Sequence, residues 1–285
     1  FPTTTGAYQT SSNGGDYDAF VSKLSGDLSS LIASTYLGGS LADNINAIAM
    51  DSSGNVYATG DTYSTSFPIT TGAYQSSYGS RHRGYFVSKL NGNLTSLIVS
   101  TYLGGSSVGD GICVAVDSSG NVYVTGQTTT GFPTTAGAYQ TSYSGGDGYD
   151  AFVSKLSGDL TSLLAATYLG GSLGYYGGST GDDSGLFVYI GGSGIYIVGT
   201  TVASNFPTTT GVYQTSHGGN KDVFISKLSV NLDNLLASTF LGGSSDDVGR
   251  PTIMDSGGNI YIEGYSGSTN FPTTTGAYRT SLGGS

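Results

Sequence analysis

The chain has 285 residues, among them 48 Gly, 22 Tyr, one Glu and no Trp. Residues that favour helices, such as Glu, Lys, Arg and Met, are scarce, whereas Tyr, Thr, Val and Ile favour strands, so the composition predicts an all-β fold. The formal net charge of −10 would repel phosphate backbones, which argues against a nucleic-acid partner. No apolar run reaches the roughly 18 residues that cross a bilayer, so no membrane insertion is expected.

One sequence motif recurs along the chain. The linking segment, Phe-Pro-Thr-Thr-Thr-Gly-Ala-Tyr-Gln, begins at Phe1 and returns with small changes at Phe67, Phe132, Phe206 and, as a partial copy, Phe271. The intervals are 66, 65, 74 and 65 residues, and such self-similarity indicates a repeat architecture. We expect a single domain over 1–285, with repeats at 1–66, 67–131, 132–205 and 206–270 and a partial fifth repeat at 271–285.

Each repeat holds four strand candidates. In the first repeat, residues 18–24 and 31–37 flank a polar turn, and residues 45–50 and 56–60 flank a turn rich in Ser, Gly and Asn, so two hairpins are predicted. The third repeat is longer because of a Gly- and Tyr-rich stretch at 174–185, which is typical of a surface loop. Four antiparallel strands per repeat at regular spacing favour the blades of a β-propeller.

Three recurring sequence motifs resemble those of a known family. Thr-Tyr-Leu-Gly-Gly-Ser, Ile-Ala-Met-Asp-Ser-Ser-Gly-Asn-Val-Tyr-Ala-Thr-Gly and the linking segment resemble the seven-bladed β-propeller repeat family of bacterial and archaeal secreted proteins. The third repeat departs from the pattern, because Gly191–Gly194 lack the Asp and Asn of the turn, and the chain has four repeats rather than seven. The resemblance implies an extracellular or cell-surface propeller, commonly part of a larger protein, with no shared catalytic site.

The short, small or apolar run at 47–50 and its counterparts suit the innermost strand of a blade. We therefore expect four blades of four strands, ordered from the 45–50 type through the 56–60 and 18–24 types to the 31–37 type. The strands at 18–37 would then complete the pair at 252–264, so that one composite blade built from both ends of the chain closes the ring.

Four blades need four linking segments, yet the chain has five, so the first and last copies compete for one place. The copy that does not occupy this place is either a frayed terminus or lies in the equivalent place of a neighbouring molecule. The second alternative predicts head-to-tail contacts that propagate as filaments. The candidate self-assembly residues are Phe1, Pro2, Tyr8, Phe20, Phe271, Pro272 and Tyr278.

Groups for catalysis are scarce, and the chain is not expected to be an enzyme. His82 and His217 lie in variable loops away from a plausible nucleophile, and Glu263 is the only Glu. The recurring acids open hairpin turns, where an Asp normally bonds its own backbone. These are Asp51, Asp117 and Asp255.

Cofactors are not expected, although Asp-rich loops could gather oxygen ligands for structural Ca²⁺. These loops hold Asp16 and Asp18, Asp147 and Asp150, Asp182 and Asp183, and Asp246 and Asp247. Asn93 heads the only N-glycosylation sequon, and Tyr175 and Tyr176 are candidate ligand-binding residues.

Function is expected to be structural and non-enzymatic. The favoured hypothesis is a building block of a cell-surface assembly or filament, whose partner is itself or another surface protein. The alternative is a carbohydrate-binding or adhesion propeller that binds glycans through Tyr-rich loops. Either role places the chain outside the cell.

Overall fold

A computed structural model describes residues 1–78, 83–105, 108–145, 148–172, 183–192 and 194–283. The described part is all-β, as predicted, and contains sixteen strands and no helix. The strands are β1 (Ala19–Leu24), β2 (Leu31–Leu37), β3 (Asp43–Met50), β4 (Val56–Thr62), β5 (Gly84–Leu90), β6 (Leu97–Leu103), β7 (Val108–Val116), β8 (Val122–Thr128), β9 (Asp150–Leu156), β10 (Leu163–Leu169), β11 (Asp183–Gly191), β12 (Gly194–Thr201), β13 (Asp222–Leu228), β14 (Leu235–Leu241), β15 (Asp247–Met254) and β16 (Ile260–Ser266).

The strands form three sheets of four and two sheets of two. The first blade has the order β3-β4-β5-β6, the second β7-β8-β9-β10 and the third β11-β12-β13-β14, which confirms the predicted order of strands within a blade. Strand pairs in the first and third blades are antiparallel. A linking segment runs between the second and third strands of each blade.

The predicted composite blade is not formed within the chain. Among the described residues β1 pairs only with β2, and β16 pairs only with β15, so each pair is a separate half-blade. The physical reason lies in the surplus linking segment, because both end copies are seated against their own half-blades. Phe1 packs on Phe20 of β1, with ring centroids 4.1 Å apart, and Phe271 lines a cavity beside β16.

Aromatic stacking anchors each linking segment to the third strand of its blade. The ring centroids are 4.2 Å apart for Phe67 and Phe86, 4.3 Å for Phe132 and Phe152, and 4.2 Å for Phe206 and Phe224. All six rings are buried, and such aromatic pairs add stability beyond the apolar area they remove from water. The linking segment is therefore a structural part of the blade and not a loose connection.

Contacts divide the chain into two compact units. One comprises Phe1–Val108, Ile112–Tyr123 and Lys155–Leu164 and contains the N-terminal half-blade and the whole first blade. Its core includes Leu37, Phe86 and Tyr102. The other comprises Gly109–Gly111, Val124–Ser154 and Ala165–Ser285 and contains the whole third blade and the C-terminal half-blade.

Candidate self-assembly surfaces

The middle pair of strands in a complete blade shows what the two half-blades lack. In the first blade β4 faces β5 along its whole length, with Val56 opposite Leu90 and Gly60 opposite Phe86. The Lys89 ammonium lies 4.7 Å from the Tyr57 ring centroid and 3.2 Å from Asp51. The third blade repeats the arrangement, with Lys227 5.1 Å from the Tyr196 ring centroid. These lysines therefore join two strands.

The two hairpin turns of a complete blade also meet. A Cβ atom at Gly92, in the β5–β6 turn, would lie 2.5 Å from the carbonyl oxygen of Gly54 in the β3–β4 turn. Gly158 and Gly120 repeat this approach with the same distance. Only glycine fits such a contact without displacing backbone.

A third contact joins each linking segment to the next outer hairpin. The backbone N–H of Tyr8 donates to the carbonyl of Leu94 at 2.9 Å, and the same bond runs from Tyr74 to Leu160 and from Tyr139 to Leu232. The three leucines have positive φ near 55°, are 0–1% exposed and occupy hairpin turns. Burial raises the pKa of the three tyrosine hydroxyls, which agrees with their packed position.

The N-terminal half-blade leaves its counterparts of these groups exposed. Leu28 has the same left-handed turn geometry as Leu94 but is 76% exposed, and a Cβ atom at Gly26 would meet nothing within 4 Å. Phe20 and Leu24 of β1 are more than half exposed, whereas their equivalents Phe86 and Leu90 are fully buried. An open groove of about 400 Å³ follows β1 and is lined on its other side by residues 45–48 of β3.

The C-terminal half-blade and the third blade also leave groups exposed whose equivalents elsewhere in the chain are buried or bonded. Tyr213, in the fourth linking segment, is 71% exposed, and among the described residues its backbone N–H donates to no backbone carbonyl equivalent to that of Leu94. Tyr261 of β16 is exposed, whereas its equivalent Tyr57 is fully buried. A cavity of about 200 Å³ lies along β16 and is lined by Ile262, Gly264 and Phe271, among others.

The predicted self-assembly residues fall on these two half-blades. Phe1 packs on Phe20 and, at 5.4 Å, on Tyr36, and Pro2 is exposed. Tyr8 is half-buried against the first blade. Phe271 and Pro272 are half-buried, and Tyr278 is fully exposed.

The two end copies of the linking segment differ at one decisive position. Gln9 accepts the N–H of Gly38 through Oε1 at 3.1 Å, and Gln75, Gln140 and Gln214 accept equivalent glycine N–H groups. The fifth copy has Arg279 there, and an arginine side chain has no acceptor. The N-terminal copy is therefore the better occupant of the contested place.

Sequence reasoning missed Gly26, Leu28 and Tyr213. A signal was present, since an apolar residue recurs in an otherwise polar turn as Gly-Asp-Leu, Gly-Asn-Leu, Gly-Asp-Leu and Val-Asn-Leu. A leucine that recurs at a turn with positive φ marks a position held by contact with another element.

Comparison with protein families agrees with this architecture. The model of a family described as "Beta-propeller repeat" matches residues 34–68 and 100–133, two equivalent stretches that run from β2 and from β6 to the next linking segment. The chain carries β-propeller repeats of this family. No curated protein matches the chain.

Successive propeller repeats also bring pairs of carboxylates together. The first Gly of a Gly-Gly pair separates them: a Cβ at Gly170 would lie 2.7 Å from both Asp150 Oδ1 and Asp183 Oδ2. At Gly38 the corresponding distances are 2.7 Å to Asp18 Oδ1 and 2.8 Å to Asp43 Oδ2. A third pair, Asp222 and Asp247, is fully buried and flanks Gly242 and Gly243.

Desolvation raises the pKa of several carboxyls in these pairs. It raises the pKa of Asp150 to about 6, against hydrogen bonds from Ser144 and Gln140 that act the other way. It also raises the pKa of Asp43 and Asp222, and in each case the neighbouring Asp adds to the rise. In the described part of the chain no group of three or more His, Cys, Asp or Glu could hold a metal ion.

The remaining candidate residues of the propeller repeats are placed as follows. His217 packs edge-on against Phe240, with ring centroids 5.4 Å apart, and its Nε2 lies 3.3 Å from the Thr201 carbonyl oxygen. The turn aspartates accept backbone N–H groups two and four residues on, as predicted, and they are Asp51, Asp117 and Asp255. Asn93 is exposed in the β5–β6 turn.

Five of the predicted residues lie outside the described residues, namely His82, Asp147, Tyr175, Tyr176 and Asp182. Of the described Tyr-rich loop, Tyr143 donates its hydroxyl to the Gly148 carbonyl and packs its ring 6.1 Å from that of Tyr168. It is thus held inward, and a shallow groove of about 380 Å³ remains beside it. No helix of the described residues is long and apolar enough to span a membrane.

Proposed function

We propose that the chain is a non-enzymatic structural building block that assembles head to tail with copies of itself outside the cell. In each joint the C-terminal half-blade of one copy and the N-terminal half-blade of the next form one four-stranded blade. The observation that carries the proposal is the matched exposure of Leu28 and Tyr213, whose equivalents in three other places are hydrogen-bonded to each other. Exposed strand edges of this kind are templates for pairing with another chain.

The complete blades supply the register of the joint. By equivalence with β4–β5 and β12–β13, β16 of one copy would pair with β1 of the next, with Ile260 opposite Leu24 and Gly264 opposite Phe20. Lys23 would then lie over the exposed ring of Tyr261, as Lys89 lies over Tyr57. The edges therefore match in side chains as well as in length.

The hairpin turn of the N-terminal half-blade would make two further contacts. Gly26 would meet Gly258, since the Asp255–Asn259 turn has the same length as the turn that carries Gly54. Leu28 would lie beneath the fourth linking segment, which belongs to the third blade, and its carbonyl would accept the N–H of Tyr213. Val230 occupies the position equivalent to Gly26 in the third blade, where the facing turn, Gly191–Gly194, is shorter and leaves room.

The surplus linking segment fits the same scheme. In a joint, the copy at Phe1 keeps its place because Gln9 provides the acceptor that Arg279 lacks. The copy at Phe271 would then leave the blade and lie on its surface. An extracellular setting is supported by the low charged fraction of 10% and by the abundance of small hydroxyl side chains.

Gly26→Val tests this proposal, because the side chain is accommodated in the single chain but would collide with the facing turn in a joint. Purified wild-type and variant chains would be compared by electron microscopy and sedimentation velocity, with thermal melting as the control for folding. We expect filaments or long oligomers of the wild type, and single copies of the variant with an unchanged melting temperature. A wild type that stays a single copy at all concentrations would overturn the proposal.

The alternative function, carbohydrate binding, has the groove lined by Tyr139, Gln140, Asn205 and Pro207 as its structural support. Tyr143 also lines this groove, but its hydroxyl is bonded to the Gly148 carbonyl and the groove is open, so assembly is the better supported function. A glycan-array screen of the Gly26→Val single copies would reveal sugar binding without interference from assembly.

A further inference from the structure

We infer that the carboxylate pairs between successive repeats bind a divalent oxygen-preferring cation, Ca²⁺ in the first instance, which holds neighbouring repeats together. The clearest site is formed by Asp222 at the start of β13 and Asp247 at the start of β15. A second is formed by Asp150 and Asp183, and a third by Asp18 and Asp43.

The first argument is the state of the carboxylate oxygens. Asp222 and Asp247 are fully buried, and Oδ1 of each has no hydrogen-bond partner among the described residues. Their other oxygens are occupied, since Asp222 Oδ2 accepts the Gly218 N–H at 2.7 Å and Asp247 Oδ2 accepts from Gly243 and Ser268. A buried acceptor without a donor is costly, and a cation bound between the two carboxylates would offset that cost.

Asp150 repeats this arrangement. It is fully buried, its Oδ2 accepts from Ser144 and Gln140, and its Oδ1 has no hydrogen-bond partner among the described residues. Oδ1 is also the atom that lies beside Gly170, on the side of Asp183. The bare oxygen of Asp150 is therefore directed toward the second carboxylate of its pair.

The second argument is that the two carboxylates occur together or not at all. Asp18, Asp150 and Asp222 hold one position, counted from the leucine that ends each strand, and Asp43, Asp183 and Asp247 hold the other, opposite Thr62, Thr201 and Ser266 in the strand register. The remaining repeat has Gly84 and Gly109 at these two positions. No repeat has one acid without the other. A pair that is present or absent as a unit indicates a ligand that needs both members.

Charge decides between a cation and a shared proton. A proton shared between two carboxyls leaves one buried negative charge at each pair, whereas a divalent cation leaves none. The hydrogen bonds to the Oδ2 atoms favour the ionised form of the carboxyls, which is the form that binds a metal. Calcium accepts six to eight oxygens, so main-chain carbonyls and water would provide the rest, and an all-oxygen ligand set suits Ca²⁺, Mg²⁺ or Mn²⁺ better than metals that prefer His or Cys.

Calcium titration of the chelator-treated full chain tests the inference, followed by calorimetry and by thermal melting at pH 7. We expect up to three Ca²⁺ per chain, and a rise in melting temperature of about 5 °C for each occupied site at a hundredfold excess over its dissociation constant. Asp247→Asn should weaken its site about tenfold or more. The matched control is Asp255→Asn, which changes an exposed turn aspartate and should leave all binding unchanged.

A second variant guards against misfolding of the first. Asp222→Gly combined with Asp247→Gly copies the pair at Gly84 and Gly109, which the chain already accommodates, and should reduce the stoichiometry by one. Absence of Ca²⁺ binding by the wild type at about 1 mM would overturn the inference, as would an unchanged stoichiometry in the double variant. A wild type that binds no Ca²⁺ and melts higher as the pH falls from 7 to 5 would identify a shared proton instead.

Discussion

Truncation of Leu28 should weaken assembly without weakening the fold. Leu28 is 76% exposed in the single chain, whereas Leu94, Leu160 and Leu232 are 0–1% exposed where they meet a linking segment. Complete burial of a leucine side chain contributes about 1.5–3 kcal/mol relative to exposure. Alanine retains the Cβ and Leu28 is already one-quarter buried, so about 1.5 kcal/mol is lost per joint, which corresponds to about tenfold in the dissociation constant.

Pelleting measures this loss directly, because the concentration left in the supernatant at equilibrium approximates the dissociation constant of one joint. Leu28→Ala should raise that concentration about tenfold, with the melting temperature unchanged. Leu236→Ala is the matched control, since Leu236 is 47% exposed on the outer strand of a complete blade and its counterpart in each repeat is similarly exposed. Equal effects of the two variants, or none from Leu28→Ala, would refute the reasoning.

Three further predictions concern the fold itself. Ala166→Ser should stabilise the chain by about 1 kcal/mol in chemical denaturation, because Ser154 Oγ is buried without a hydrogen-bond partner among the described residues. Ala166 is the sequence equivalent of Ser100, which lies opposite Ser88 in the first blade and bonds it at 2.8 Å, and no gain in stability would contradict the prediction. Leu94→Ala should destabilise the chain by about 2–5 kcal/mol, in contrast to Leu28→Ala, and the same assay measures it. In chelator, the melting temperature should rise as the pH falls through about 6 toward 4, since folded Asp150 binds its proton more tightly than the unfolded chain, and Asp150→Asn should remove part of that rise.

Much of the fold follows from periodicity. The order of strands within a blade could be predicted because the recurring phrases give each strand type, and the run at 47–50 was short and apolar enough to be placed innermost. The stacking of Phe67 on Phe86 is equally a consequence of residues that recur together. The repeated sequence pattern therefore predicts the structure of a single blade.

The candidate sites were harder to predict, because they depend on contacts between repeats. The sequence grouped Asp18 with Asp16 and Asp183 with Asp182, whereas the structure pairs Asp18 with Asp43 across 25 positions. A composite blade within the chain was also predicted, and among the described residues β1 and β16 do not pair. Sequence equivalence cannot distinguish a partner strand in the same chain from one in another copy. Equivalence between repeats predicts which type of strand pairs with β1, but it does not predict whether that strand belongs to the same copy or to another.

The bond from a linking-segment tyrosine to a turn leucine has a direction, because one side donates and the other accepts. A row of copies joined in this way has two chemically different ends, one presenting Leu28 and the other presenting Tyr213. Growth is then polar, like that of any fibre with unlike tips. A copy without β1 and β2 would cap such a fibre at one tip and leave the opposite tip free to elongate.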